Sequence, residues 1–178
     1  MQRVVFAAIA AMFIACGGAA PSSKSDRVAL EDKAASTLRS MTSKDWTLQP
    51  FLDRAAGYAV FPDIGKGGLI VGGAHGRGVL YQHHHAVGDV ELSQASVGAQ
   101  AGAQSFAELI VFESQADVER VRGNAYTMGG NVSAVAMSAG AGAGAQFQNG
   151  VSVFIQTHGG VMAELSVSGQ RLKFAEGG

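Results

Sequence analysis

The stretch GKGGLIVGGAHGRGVL, residues 65–80, decides the class of fold, because seven of its sixteen positions are glycine. Working outward, 23 of the chain's 25 glycines lie from Gly57 onward, and none lies between Ala19 and Ala56. Glycine weakens a strand unless backbones must come close or bend sharply. With only three prolines and 47% apolar residues, the chain is not of the disordered type. We therefore predict a helical front and a strongly curved β-rich body.

Helical spacing predicts three helices. The first covers residues 26–41, where Leu30, Ala34, Leu38 and Met41 form one face. Thr47 is expected to cap a second helix that ends at Gly57, with Leu48 and Phe51 on its buried side. Trp46 is interpreted as packing between these helices, with an interfacial aromatic contact as the alternative. Ser114 and Asp117 form a capping-box-like start for a third helix that ends at Gly123.

In the remaining segments, apolar and polar residues alternate, or apolar residues are continuous, over the length of a strand, and predicted turns separate these segments. Turns are predicted at Gly88-Asp89, Asn149-Gly150, Gly159-Gly160 and Ser168-Gly169. Short consecutive strands with tight turns favour antiparallel pairing. The predicted class is α+β, with N-terminal helices (about 26–57) packed on a barrel-like antiparallel sheet (about 58–175) in one domain, residues 26–178. The candidate strands are Tyr58–Phe61, Leu69–Gly73, Gly78–His85, Val90–Val97, Ala107–Phe112, Asn131–Met137, Gly140–Phe147, Val151–Thr157, Val161–Val167 and Arg171–Phe174.

Residues 123–163 carry no Asp, Glu, Lys or Arg. Within them, residues 139–145 read AGAGAGA, a period of two with no bulky side chain on either face. We favour a central strand covered by large neighbours, and the alternative is a surface that meets lipid or another protein.

Residues 1–16, MQRVVFAAIAAMFIAC, look like a bacterial lipoprotein signal. Arg3 is a positive n-region, and the twelve apolar residues that follow are too few to cross a bilayer but typical of an export signal. We predict residues 1–15 as the signal, Cys16 as the lipidated residue, residues 16–25 as a tether, and attachment to the cell envelope at the outer membrane. An ordinary secretory signal cut near Ala20 is the alternative.

Composition excludes several function classes. The formal charge is −1 and only 15% of residues are charged, so we expect no nucleic-acid partner. One cysteine excludes an internal disulfide.

An ordered set of segments resembles the SYLF domain family. They are residues 65–80, 95–104 (ASVGAQAGAQ), 108–112, 118–121 and 128–136 (MGGNVSAVA). The resemblance implies a membrane-associating fold that, in eukaryotic members, binds phosphoinositides and actin-assembly factors. The segment around His83–Asp89 lacks the Trp and Pro of many relatives.

The partner that the resemblance implies is membrane phospholipid, and an envelope protein is the other partner considered. Relatives bind lipid through a basic N-terminal amphipathic helix, but residues 21–54 hold six basic against five acidic residues, so attraction to anionic headgroups should be weak. We do not expect actin binding. The candidate lipid-binding residues are Lys24, Arg27, Lys33, Arg39, Lys66 and Arg77.

His83, His84 and His85 suggest an alternative, a periplasmic metal- or small-ligand-binding module. On a strand, His83 and His85 would share one side and could bind a metal, with His75 or His158 joining through the fold.

No enzyme or cofactor signature is present. The glycines lack a Gly-Lys-Ser/Thr phosphate loop and no Gly-x-Ser-x-Gly elbow occurs, so we expect a non-enzymatic protein without cofactors. Capping and solvation explain the carboxylates near the third helix, and Arg120 and Arg122 are assigned to its solvent side. Those carboxylates are Glu108, Glu113, Asp117 and Glu119.

Overall fold

The computed structural model describes residues 23–68, 71–97, 103–158, 167 and 169–176. Its helices are α1 (Lys24–Lys44), α2 (Gln49–Arg54) and α3 (Gln115–Arg122), and two 3₁₀ turns cover Trp46–Leu48 and Ala141–Gly144. The strands are β1 (Gly57–Gly68), β2 (Val71–Gln82), β3 (His85–Val97), β4 (Ala103–Phe112), β5 (Tyr126–Thr127), β6 (Ala134–Ala136), β7 (Val151–Thr157) and β8 (Arg171–Glu176).

The strands form one curled, half-barrel sheet in the order β5-β8-β3-β2-β1-β4-β7-β6, and helices pack on it. The predicted α+β class with a strongly curved sheet is confirmed. One pairing departs from the antiparallel prediction, since β6 runs parallel to β7. The central strands β1 and β2 are also longer than expected, because the glycine-rich stretch continues both of them beyond the predicted bounds.

Local capping explains where α1 and α3 begin, whereas α2 has no side-chain cap and ends at Arg54 rather than at the predicted Gly57, which begins β1. The Ser23 side chain accepts a hydrogen bond from the N–H of Asp26 and starts α1 two residues before the predicted position. Asp45, not Thr47, caps the next turn, because its carboxylate accepts from the N–H of Thr47. The third helix is as predicted: Ser114 caps α3 and Gly123 ends it.

The sheet carries a separate core on each face. On the inner, concave face, side chains such as Phe61, Ile110 and Leu172 pack with Val118 and Val121 of α3. The outer face is covered by α1 and α2. It buries Val60, Val79 and Leu109 against helix residues that include Ala34, Met41, Phe51 and Leu52.

Two rings meet across the inner face. Phe112 of β4 packs edge-on against Tyr126 of β5, with ring centroids 5.3 Å apart. In the sheet these strands are separated by β1, β2, β3 and β8. Contact between such distant strands means that the sheet curls until its two sides meet.

Several predicted turns and strands differ from the structure. Gly88 and Asp89 lie within β3, opposite Leu80 and Val79, and the turn before β3 is instead at His83-His84. The Asn149-Gly150 turn is confirmed by positive φ values of 53° and 80°. The Gly159-Gly160 turn and nearly all of the predicted strand Val161–Val167 lie outside the described residues. Gly169 has the positive φ of a turn.

The bend of β1 depends on Gly78. The register of β1 shifts between Val60 and Asp63, which places Pro62 at a bulge rather than in a regular ladder. A Cβ at Gly78 would collide with the carbonyl oxygen of Val60 and would lie 2.7 Å from a carbon of the Phe61 ring. Glycine at this position lets β2 lie against the bulge.

We expect Gly78→Ala to lower the free energy of unfolding by about 1–3 kcal/mol, because the new methyl group must displace the β1 backbone. Gly65→Ala is the matched control, since a Cβ there meets no atom within 4 Å. Urea unfolding measures both variants. Equal stability of the two would contradict the close contact at Gly78.

Candidate functional site

Trp46 is the most exposed large apolar side chain among the described residues. It lies between α1 and α2, and 78% of its surface is accessible. The predicted packing of Trp46 between helices is therefore wrong. Phe51, in contrast, is buried, and its ring centroid lies 5.4 Å from those of Phe147 and Phe154.

The segment AGAGAGA lies beside Trp46 and is not a strand. Residues 141–144 form a 3₁₀ turn and Gly140 has a positive φ of 79°. The N–H groups of Ala141, Ala143 and Ala145 each donate to the carbonyl three residues back. The predicted strand Gly140–Phe147 fails because its small side chains have nothing to bury, so no sheet face holds them. The turn packs against the 3₁₀ turn that contains Trp46.

A buried carboxylate joins the two turns. Asp45 Oδ1 accepts from the N–H and hydroxyl of Thr47 at 2.9 and 2.6 Å, and its Oδ2 accepts from the N–H of Gly142 at 2.7 Å. Burial acts to raise the pKa of Asp45, but these hydrogen bonds outweigh it and hold the pKa below its usual range. The carboxylate therefore remains ionised and keeps the turns together.

Gly142 fits this junction because it has no side chain. A Cβ there would lie 2.7 Å from the Thr47 hydroxyl and 3.1 Å from the Thr47 carbonyl. We call Trp46 and residues 138–147 the corner surface. Six residues of its loop are exposed, and none is charged: Ser138, Ala139, Gly140, Ala143, Gly144 and Gln146.

Charged side chains flank the corner surface. The Arg54 guanidinium lies 6.0 Å from the centre of the Phe147 ring and 5.5 Å from that of Phe51. Lys44 is exposed at the end of α1. Asp53 accepts a hydrogen bond from the Gln49 side chain on the exposed side of α2. The surface is thus aromatic and uncharged at its centre with a mixed rim.

The six predicted lipid-binding cations do not form one patch. Four lie on α1, namely Lys24, Arg27, Lys33 and Arg39. Lys66 follows Ile64 on the inner face of β1 and is 9% exposed, on the side of the sheet opposite α1. Arg77 bonds Asp89 at 3.1 Å. Cys16 lies outside the described residues.

The histidines do not lie as the metal hypothesis requires. His83 and His84 form the β2–β3 turn with φ values of 48° and 65°, and only His85 is in a strand, so the premise that His83 and His85 share one side of a strand is wrong. His75 pairs with Glu91 at 3.4 Å, and His158 bonds the carbonyl of Pro62. Within the described ranges, no three His, Cys, Asp or Glu side chains converge to hold a metal ion.

The carboxylates near α3 divide into two kinds. Glu113 and Glu119 are exposed, and Asp117 bonds the Ser114 cap, as capping and solvation predict. Glu108 is wholly buried on the inner face of β4, so solvation does not explain it. Its Oε2 accepts from Gln170 Nε2 at 3.1 Å, and burial raises its pKa to about 8 although this hydrogen bond acts to lower it.

The α3 arginines contact rings as well as solvent. Arg120 lies 5.3 Å from the centre of the Tyr126 ring and pairs with Asp117, and Arg122 lies 5.8 Å from the centre of the Phe174 ring.

Among the helices of the described ranges, none combines the length and apolar character needed to cross a bilayer.

The Ysc84 family model, whose description is "Las17-binding protein actin regulator", matches residues 93–176. Residues 93–176 match the SYLF family. This confirms the predicted family. No curated protein matches the chain. The matched residues contain the last five residues of β3 and all of β4 to β8, whereas β1, β2 and most of β3 precede the match.

Sequence reasoning missed Asp45 and Glu108. A capping signal for Asp45 was visible in Asp45-Trp46-Thr47, but its partner Gly142 lies 97 residues away. Glu108 alternates with Phe106 and Ile110, and this period of two places it on an apolar strand face. That pattern could have identified a buried carboxyl.

We expect Asp45→Ala to lower the free energy of unfolding by about 1–3 kcal/mol, because the N–H groups of Thr47 and Gly142 lose their acceptor. Hydrogen exchange at the Gly142 amide should accelerate. Since the pKa of Asp45 is lowered, the stabilisation is complete above the ordinary value of 3.8 and is lost as the pH falls through the folded-state pKa.

Asp53→Ala, on exposed α2, is the control, and we expect it to change stability by less than about 0.5 kcal/mol. If Gly142 exchanges at the same rate in both variants, Asp45 does not hold the loop.

Proposed function

We propose that this protein is a non-enzymatic, lipid-anchored envelope protein whose SYLF domain binds phospholipid membranes through the corner surface. The family match supports a binding role of the lipid- or actin-related kind. We favour lipid over an actin-related partner because Trp46 is 78% exposed and lies beside an uncharged loop.

The chemistry of the corner surface suits the interface of a bilayer. Tryptophan is enriched at membrane–water interfaces, where its apolar ring and polar N–H face different surroundings. Bringing a charge to the interface costs solvation free energy, and the loop beside Trp46 carries no charge. Several of its backbone N–H groups are already bonded, the one of Gly142 to Asp45 and others within the 3₁₀ turn. Binding would therefore not have to dehydrate these N–H groups.

Electrostatic attraction is a minor part of the proposed contact. Helix α1 holds five basic and three acidic residues. Lys66 lies on the opposite face of the sheet, and Arg77, on the α1 side, pairs with Asp89. Each Lys or Arg close to an anionic surface contributes about 1 kcal/mol, and nearby carboxylates offset this. Binding should therefore depend weakly on salt and should extend to zwitterionic lipid.

Lipidation at Cys16 would hold the domain close to a membrane. Six residues separate Cys16 from Ser23, where α1 is capped, and the seven steps from one Cα to the next span at most about 25 Å. The anchor would thus raise the local concentration of the corner surface at the lipid.

The proposed function requires no catalysis. We expect no actin binding, because an exported lipoprotein would not meet actin. An envelope protein is the second partner that the corner surface could serve.

We expect residues 21–178, which contain every described residue, to sediment with phosphatidylcholine vesicles, and Trp46→Ala to weaken this binding tenfold or more. Withdrawing a large apolar side chain from water contributes roughly 1.5–3 kcal/mol. Because Trp46 is the only tryptophan, its emission should also shift to the blue when vesicles are added.

Val28→Ala is the matched control, since Val28 is the other exposed large apolar side chain among the described residues, at 52%. We expect it to bind like the parent. If the parent binds no vesicle of any composition, the proposed function is wrong.

The anchor is tested separately by Cys16→Ser in the full chain. We expect the variant to remain unprocessed or to leave the membrane fraction, because the acyl chains supply most of the membrane affinity. Fractionation of cells and metabolic labelling with palmitate measure this, with unaltered processing and labelling as the result that would refute lipidation.

A further inference from the structure

Glu108 and Gln170 meet across the concave face of the sheet. Glu108 lies on β4 between Phe61 of β1 and Ile155 of β7, and both members of the pair are 0% exposed. Gln170 directly precedes β8, which β3, β2 and β1 separate from β4 in the sheet. Their hydrogen bond therefore joins the two sides of the half-barrel.

The donors and acceptors of this pair balance only if Glu108 carries a proton. The Gln170 amide donates to Glu108 Oε2 at 3.1 Å, while Glu108 Oε1 and Gln170 Oε1 have no partner. Two acceptors cannot bond each other, and a buried acceptor without a partner is costly. A protonated carboxyl presents one donor and one acceptor, which match the acceptor and donor of a carboxamide.

Backbone hydrogen bonds connect Gln170 to the loop that follows β5. The Gln170 carbonyl accepts from the N–H of Met128 at 2.8 Å, and the N–H of Gly169 donates to the Met128 carbonyl at 3.0 Å. Anything that holds the Gln170 side chain therefore also holds this backbone bridge against β4.

We propose that Glu108 and Gln170 form a proton-dependent clasp that closes the curled sheet, held by the neutral acid–amide pair and released when Glu108 ionises.

The groups around Glu108 do not stabilise its charge. On its own strand the inward neighbours are Phe106 and Ile110, and β7 carries no charged residue. On β1, Asp63 is exposed and bonded to Ser105, and Lys66 lies further along the strand, opposite Gln104.

Among the described residues, the other elements packed on this face also place no opposite charge beside Glu108. Residues 128–132 and 167–170 have no charged side chain. β5 presents Tyr126, and burial raises the pKa of that phenol to about 12. Arg171 and Lys173 of β8 are exposed, on the side opposite Leu172, and Glu176 pairs with Arg122 of α3.

The direction of the pKa shift agrees with a neutral acid. Burial raises the pKa of Glu108 from 4.5 to about 8. Between these two values the folded protein retains a proton that the unfolded chain loses. The stabilisation that this proton gives to the folded state is therefore complete below pH 4.5 and is lost as the pH rises to about 8. Over that window the folding equilibrium constant falls up to tenfold per pH unit from this group.

The test compares the full chain with Glu108→Gln from pH 5 to pH 9. Urea unfolding reports stability, and amide exchange at Met128 and Gly169, corrected for the intrinsic effect of pH, reports the clasp. As the pH rises, we expect the folding equilibrium constant of the parent to fall more steeply than that of Glu108→Gln, by up to tenfold per pH unit. We also expect the Met128 and Gly169 amides of the parent to lose protection from exchange towards pH 9. Glu113→Gln, an exposed glutamate just beyond the end of the same strand, should behave like the parent.

Parallel pH profiles in the parent and Glu108→Gln would overturn the proposal. So would a stability difference with no response at Met128 and Gly169, since the acid would then be buried without acting as a clasp. If Glu108→Gln does not fold, a ¹³C carboxyl titration of the parent decides. One glutamate titrating near pH 8 supports the clasp, and titration of every glutamate near its ordinary pKa refutes it.

Discussion

The close contact between β2 and the bulge of β1 shapes the whole sheet. A side chain at Gly78 would collide with the β1 carbonyl at Val60, so the two central strands can lie together only where this residue is glycine. The bulge bends and twists the strand locally. Strands on either side of this pair then approach each other, and the sheet acquires a closed concave face and an outer face open to helices.

The two faces use buried carboxyl groups in opposite ways. On the helical side, Asp45 has three hydrogen-bond donors and remains charged, so it joins two turns that are distant in sequence. On the concave side, Glu108 has one donor and apolar neighbours, so burial favours its neutral form. The number of donors within reach decides which protonation state each site stabilises. The proposed lipid contact and the proposed clasp consequently lie on different faces and can be tested independently.

Local patterns predicted much of the fold. Ser114 with Asp117 identified α3 and Gly123 identified its end, because capping needs only residues three or four apart. The glycine distribution separated the helices from the curved sheet. The segment AGAGAGA was assigned wrongly, since its period of two fits a strand while its side chains supply no apolar surface to bury. Residue type favours packing of Trp46 between the helices, whereas the structure leaves 78% of it exposed.

Composition, periodicity and ordered motifs along the chain were enough to predict the α+β class, the family and the curvature of the sheet. Which polar groups meet depends instead on the three-dimensional fold. Asp45 and Gly142 are 97 residues apart, and Glu108 and Gln170 are 62 apart. Their pairing depends on how far the sheet curls and where the turns pack. A hydrogen bond forms only within about 3 Å, and no local pattern specifies a distance between such remote positions.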